Sequence, residues 1–191
     1  MRGALRAGVV VVLVSAALVG PVTGSDASDG LVAAVGSVAE FEGATIDLAR
    51  SWDGDSWGAA RACVVLADGV ECFRSEDALD AAHPEFAPSR PTGLLASAGA
   101  SADCSTSLRL YSGASYTGAT YLLTVRGVIT NLSVSGFDNV TSSYKVGACA
   151  AEFWADPSAG GSAYPGSTAA NAQSPSMAAG WNNVVSSVLV F

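Results

Sequence analysis

The sequence predicts an all-β sandwich or barrel of two similar halves, preceded by a small ββα segment held by a disulfide. Three observations carry this. Residues 104–191 alternate short apolar runs with Gly-, Ser- and Asn-rich turns and show no helical period, which is the pattern of an all-β domain. Asp138-Asn139-Val140-Thr141-Ser142-Ser143 returns as Asn182-Asn183-Val184-Val185-Ser186-Ser187, 44 residues on, so the halves fall at about 104–148 and 149–191. Ahead of them, Asp68-Gly69 joins two β-rich runs that each carry a cysteine.

In chain order, Met1-Arg2-Gly3-Ala4-Leu5-Arg6 is basic, Ala7 to Gly20 is apolar, and Val22-Thr23-Gly24 ends in small residues. This is the order of a secretory signal peptide with cleavage after Gly24, giving a secreted, extracellular product. The apolar run is too short to span a membrane, and no later segment approaches that length; after cleavage no membrane attachment is expected. Loss of Arg2 and Arg6 leaves seven basic against 17 acidic side chains. Such a balance excludes nucleic acid as a partner, since phosphates demand Lys and Arg.

The acids concentrate in residues 25–83, the small N-terminal segment. Leu31 to Glu42 admits a short helix, weakened by Gly36. Thr45–Ala49 alternates as a strand. Trp52-Asp53-Gly54-Asp55-Ser56-Trp57-Gly58 matches the start of an EF-hand loop, but its twelfth position is Val64 where a bidentate Glu is required, so it is an acidic turn between burying tryptophans. Arg61–Leu66 and Val70–Arg74 form a hairpin across Asp68-Gly69. Ser75 caps a helix with acids in its first turn, and His83-Pro84 ends it. Residues 84–103, with Pro84, Pro88 and Pro91 followed by small residues, form a linker. Beyond it, Leu108–Tyr111, Ala119–Val125, Ser143–Val146, Glu152–Trp154 and Val185–Phe191 are strands.

An even set of four cysteines in an exported chain means disulfides, with three pairings open. Cys63–Cys72 and Cys104–Cys149 are preferred because each pair stays inside one segment.

The C-terminal residues resemble the microbial βγ-crystallin domain. Tyr111-Ser112-Gly113-Ala114-Ser115-Tyr116-Thr117-Gly118 has the aromatic, aromatic and glycine spacing that opens each of that family's motifs. In the second half, Phe153-Trp154-Ala155-Asp156 is followed by an insertion through Gly160-Gly161 and then Tyr164-Pro165-Gly166. The two Asn/Asp-rich runs resemble the family's calcium signature. The resemblance implies a two-Greek-key sandwich over 104–191, with Gly118 and Gly166 at positive φ and Ser143 and Ser187 bonded over the folded hairpins.

It also implies two calcium sites, each borrowing from both runs. Ser142 and Ser186 would give hydroxyl oxygens, Asn139 and Asn183 amide oxygens, and Val140 and Val184 backbone carbonyls. Carbonyls near Ser112 and Ala155 would complete the sites, and Asp138 and Asn182 would act as ligands or as loop-fixing hydrogen bonders. With so few carboxylates, binding is expected in the weak extracellular range, Kd of about 10⁻⁵–10⁻³ M. Calcium would then stabilise an extracellular structural or interaction module. Secreted bacterial metalloprotease inhibitors resemble the same fold, so inhibition of an extracellular protease is the alternative, and a cell-envelope component is another expected partner. No enzyme is expected: His83 is the one histidine, and no HExxH, GxSxG or phosphate-binding glycine loop is present.

Overall fold

The C-terminal residues build two facing sheets, and the N-terminal segment extends one of them. The computed structural model describes residues 37–49, 57–87 and 107–191. The expected signal peptide, the first acidic turn residues through Ser56, the linker from Pro88 and Cys104 lie outside these. Among the described residues no helix is long and apolar enough to cross a membrane.

The described residues form twelve strands in order: β1 (Val38–Phe41), β2 (Ala44–Asp47), β3 (Ala62–Val65), β4 (Val70–Phe73), β5 (Leu108–Gly113), β6 (Thr117–Leu123), β7 (Ile129–Asn131), β8 (Ser143–Lys145), β9 (Ala151–Asp156), β10 (Gly160–Ala163), β11 (Gln173–Ser174) and β12 (Ser187–Val190). One sheet runs β10-β9-β12-β7 and the other β11-β8-β5-β6-β3-β4-β1-β2. Each motif of the sandwich gives three strands to one sheet and one to the other, the exchange that defines paired Greek keys. Thus β7 of the first motif pairs with β12, and β11 of the second pairs with β8.

The composition shift that separates 25–83 from the rest does not divide the sheet. Strand β3 adds in parallel to β6, with Cys63 opposite Tyr121 and Val65 opposite Leu123. Alternate residues of these two strands then face different cores. Cys63, Val65, Tyr121 and Leu123 join the main core with Trp57, Leu110 and Phe137. Ala62, Val64 and Leu122 face the helix α1 (Glu76–Ala82), whose Leu79 is fully buried on them. Burial on both faces explains why β3 is a continuous apolar run rather than an alternating one. Burying Leu79 alone is worth about 2–3 kcal/mol.

The hairpin β3–β4 has the predicted disulfide, Cys63–Cys72, between directly opposed residues. Helix α1 starts where expected, with Ser75 Oγ accepting from the Ala78 N–H at 3.1 Å. Residues 38–41, which admit a helix by composition, are instead strand β1. The cause is the turn after it: Glu42 and Gly43 both have positive φ (51° and 79°), the geometry of a two-residue hairpin. Strand β1 then lies in parallel beside β4.

Arg109 locks the N-terminal segment to the sandwich. Its side chain is only 3% exposed and donates to Glu76 Oε1 and Asp80 Oδ1 of α1, each at 2.6 Å. It also donates to the Phe86 carbonyl at 2.7 Å. Tyr111 adds a hydroxyl bond to Glu76 Oε1 at 2.8 Å, and burial followed by the Glu76 charge raises its phenol well above the usual range. Trp57 Nε1 donates to the Ser135 carbonyl at 3.0 Å, pinning the segment from the other side.

His83 is not the solvated helix end its position implies. Its ring is 15% exposed, and both nitrogens meet carboxylates, Nε2 with Glu71 at 3.0 Å and Nδ1 with Glu85 at 3.2 Å. Neutral imidazole donates from one nitrogen only, so this pairing is satisfied by the cation. Burial opposes the charge, yet bonds to Glu71 and Glu85 outweigh it and raise the pKa.

Two outcomes follow from these contacts. Arg109→Ala, by removing the buried guanidinium that bonds two half-buried carboxylates and a carbonyl, is expected to cost about 2–3 kcal/mol in denaturant unfolding; a loss under about 1 kcal/mol would refute the lock. A folded-state pKa above the unfolded one gives His83 a stabilising role that is complete below the unfolded value and fades as pH rises through the raised one. Stability should therefore decline as pH rises from about 6.5, the ordinary imidazole value, through the raised one. His83→Gln should remove that decline, and an unchanged slope would rule it out.

Candidate metal centre

Each six-residue run ends in a serine that closes a folded hairpin. Ser143 Oγ donates to the Gly113 carbonyl at 2.6 Å and accepts from the Tyr116 N–H at 3.0 Å. Ser187 Oγ donates to the Asp156 carbonyl at 2.7 Å and accepts from the Ala159 N–H at 3.0 Å. These matched bonds establish which residues correspond between motifs: Gly113 with Asp156, Tyr116 with Ala159, and Tyr111 with Trp154.

That correspondence corrects the second motif. No insertion follows Asp156; the hairpin has the same length as the first, and its positive-φ glycine is Gly161 (φ 70°), matching Gly118 (φ 82°). Gly166, expected in that role, is not at positive φ. Ala159 stands where the first motif has its second aromatic, so aromatic spacing alone slips forward to Tyr164. Tyr164 packs elsewhere, against Phe153, Tyr144 and Trp181 at centroid distances of 5.6, 5.7 and 5.2 Å.

The two runs cross reciprocally. Asn139 N–H donates to the Val185 carbonyl, and Asn183 N–H donates to the Thr141 carbonyl, both at 3.0 Å. Both asparagines adopt the left-handed conformation (φ 56° and 58°), which Asn tolerates better than most residues. The front of one run is thereby held against the rear of the other. Ser142 N–H further bonds the Tyr111 carbonyl at 2.8 Å, and Ser186 N–H the Trp154 carbonyl at 2.9 Å. This seats Ser142 beside Ser112, and Ser186 beside Ala155.

The expected donors are distributed accordingly. Ser142 and Ser186 are buried, at 6% and 3% exposure; Asn139, Asn182 and Asn183 are exposed, and Asp138, Val140, Val184 and Ser112 are half-buried. Ser142 Oγ in the first run donates to Asn183 Oδ1 in the second at 3.0 Å. The Ser112 hydroxyl is taken by the Ala119 N–H at 2.8 Å, leaving its carbonyl as the group it could offer. Among the described residues the carbonyls of Val140 and Val184 accept no backbone hydrogen bond. Asp138 Oδ2 accepts from Asn139 Nδ2 at 3.2 Å, while its Oδ1 is buried with no hydrogen-bond partner. The donors are oxygens only, as a hard cation requires. No group of three or more His, Cys, Asp or Glu side chains is placed to hold a metal among the described residues.

Thr141 and Val185, the spacer positions, turn out to hold the crossing through their carbonyls. The sequence signals this role only in the spacing between the Asn pair and the Ser pair. Cys149, the second half of the other expected disulfide, is buried.

Solved structures resemble part of the chain. One, on the evolution of the eye lens βγ-crystallin domain fold, is 26% identical over 44% of this chain and 84% of its own, with TM-score 0.39. A βγ-crystallin domain from Flavobacterium johnsoniae is 26% identical over 44% of this chain and 92% of its own, with TM-score 0.38. A βγ-crystallin from Ciona intestinalis is 20% identical over 44% and 99%, with TM-score 0.37. No family model and no curated protein matches the chain. By its own strand order and paired serine bonds, the 107–191 region is a two-motif Greek-key domain, the fold that the sequence resemblance implies.

One asymmetry between the runs is testable without metal. Thr141 is fully buried with an unpartnered hydroxyl, while Val185 fills the matching position. Thr141→Val should raise stability by about 1 kcal/mol, since it deletes an orphaned polar group at nearly constant shape. A loss of stability in chemical denaturation would show that the hydroxyl has a partner.

Proposed function

We propose that the protein is a secreted calcium-binding module whose two weak sites stabilise an extracellular structural or interaction domain. The reading is carried by the crossing of the two runs, which sets Ser142 Oγ 3.0 Å from Asn183 Oδ1. Oxygens that share a calcium ion at 2.3–2.6 Å sit roughly 2.8–3.4 Å from one another. A hydrogen bond from Ser142 Oγ to Asn183 Oδ1 thus holds two oxygens from opposite runs at a separation that neighbouring calcium ligands also have. Val140 and Val184 carbonyls, the Ser186 hydroxyl, the Asn139 amide and the Ser112 and Ala155 carbonyls are the remaining candidate donors. The signal-like N-terminus and the buried Cys63–Cys72 bond support an oxidising, extracellular setting, where free calcium is millimolar-range and weak sites fill.

Calorimetric titration should give two sites with Kd of about 10⁻⁵–10⁻³ M. A fifty-fold excess of calcium over Kd should stabilise the fold by roughly 2 kcal/mol per site, read as a higher melting temperature. Ser142→Arg combined with Ser186→Arg should abolish that shift. Retention of the full shift in the double variant, or a nanomolar constant in the parent, would falsify the assignment.

A further inference from the structure

We infer that Asp138 makes the two calcium sites unequal, so that the site containing Ser186 and Asn139 fills before the one containing Ser142 and Asn183. The inference rests on the calcium reading above and concerns which site binds first. The two runs differ in charge at one position only: Asp138 leads the first and Asn182 the second. They also differ in surroundings, Asp138 being half-buried and Asn182 exposed.

Two bonds tie Asp138 to one site rather than the other. Its Oδ2 accepts from Asn139 Nδ2 at 3.2 Å, which commits the amide nitrogen and leaves Asn139 Oδ1 as the oxygen free to ligate. The Asn139 N–H bonds the Val185 carbonyl at 3.0 Å, so this carboxylate and amide lie against the residue that precedes Ser186. The second carboxylate oxygen, Oδ1, is buried without a partner. A buried oxygen of a charged group with nothing to bond is costly, and a divalent cation is the partner that would relieve it. The Ser142–Asn183 pair offers neutral oxygens alone, the Ser142 hydroxyl already donating to Asn183 Oδ1 at 3.0 Å. Ligand charge is a main determinant of calcium affinity, so the site backed by Asp138 is the tighter.

Asp138 acts here as a positioning residue that orients Asn139 and supplies charge. Calorimetric calcium titration of the full chain should resolve two constants about tenfold apart or more, since one carboxylate separates the sites. Asp138→Asn should weaken the tighter constant by about tenfold and leave the weaker within about twofold. Asn182→Asp should tighten the weaker one instead. Melting in a chelator adds a readout that a merely structural role would move the other way. Without calcium Asp138→Asn should melt at or above the parent, because the buried oxygen without a partner no longer belongs to a charged group, whereas in millimolar calcium it should melt below it. Equal constants in the parent, an unchanged tighter constant in Asp138→Asn, or a variant that melts lower in both conditions would overturn the inference alone. Absence of any calcium heat in the parent would overturn the calcium reading and this inference with it.

Discussion

The reciprocal crossing of the two Asn/Asp-rich runs is the constraint on which the C-terminal domain is arranged. Each run has one asparagine in the left-handed conformation, and each such asparagine gives its N–H to a carbonyl in the opposite run. The residues flanking that bond are then placed without further choice. The serine before the last seats against the first strand of its own motif, and the last serine closes the hairpin of that motif. A pair of backbone bonds thus joins the sheets where the motifs meet and positions the oxygens proposed as calcium ligands.

The N-terminal segment changes what such a pair of motifs can look like. The outer edges of β6 and β10 are equivalent by the matched hairpins, yet they differ. Strand β10 is short, largely exposed and irregular in register, features that blunt a free edge. Strand β6 is longer and buried over Ala119–Leu123, because β3 pairs with its edge and α1 covers its outer face. The Arg109 cluster then ties the helix to β5. The ordinary desolvation penalty of a buried guanidinium is offset there by two carboxylates and a carbonyl.

Legibility in the sequence varied with the range of the interaction. The Ser75 cap, the Asp68-Gly69 hairpin with its opposed cysteines, and both serine-ended runs were visible because their partners are close in sequence or repeat a pattern. The role of Gly161 was hidden because Ala159 replaces the aromatic that would have set the spacing. Strand β1 was hidden because its signal lies in the Glu42-Gly43 turn rather than in its own residues. His83 looked like a solvated helix end, since Glu71, which draws its ring inward, belongs to the preceding hairpin strand.

By itself the sequence determined an all-β C-terminal domain of two similar motifs, an oxygen-only donor set in two matched runs and a cross-strand disulfide. Each of these follows from local turn chemistry or from a repeated pattern. Only the tertiary structure decided that the acidic N-terminal strands continue the same sheet, that Arg109 is buried among acids from α1, and that Asp138 has an unpaired oxygen where Asn182 is exposed. Those outcomes depend on which sheet edge is left open once the motifs pair and on how two equivalent runs are surrounded. Composition records neither, because the groups involved lie tens of residues apart and meet only after the chain has folded.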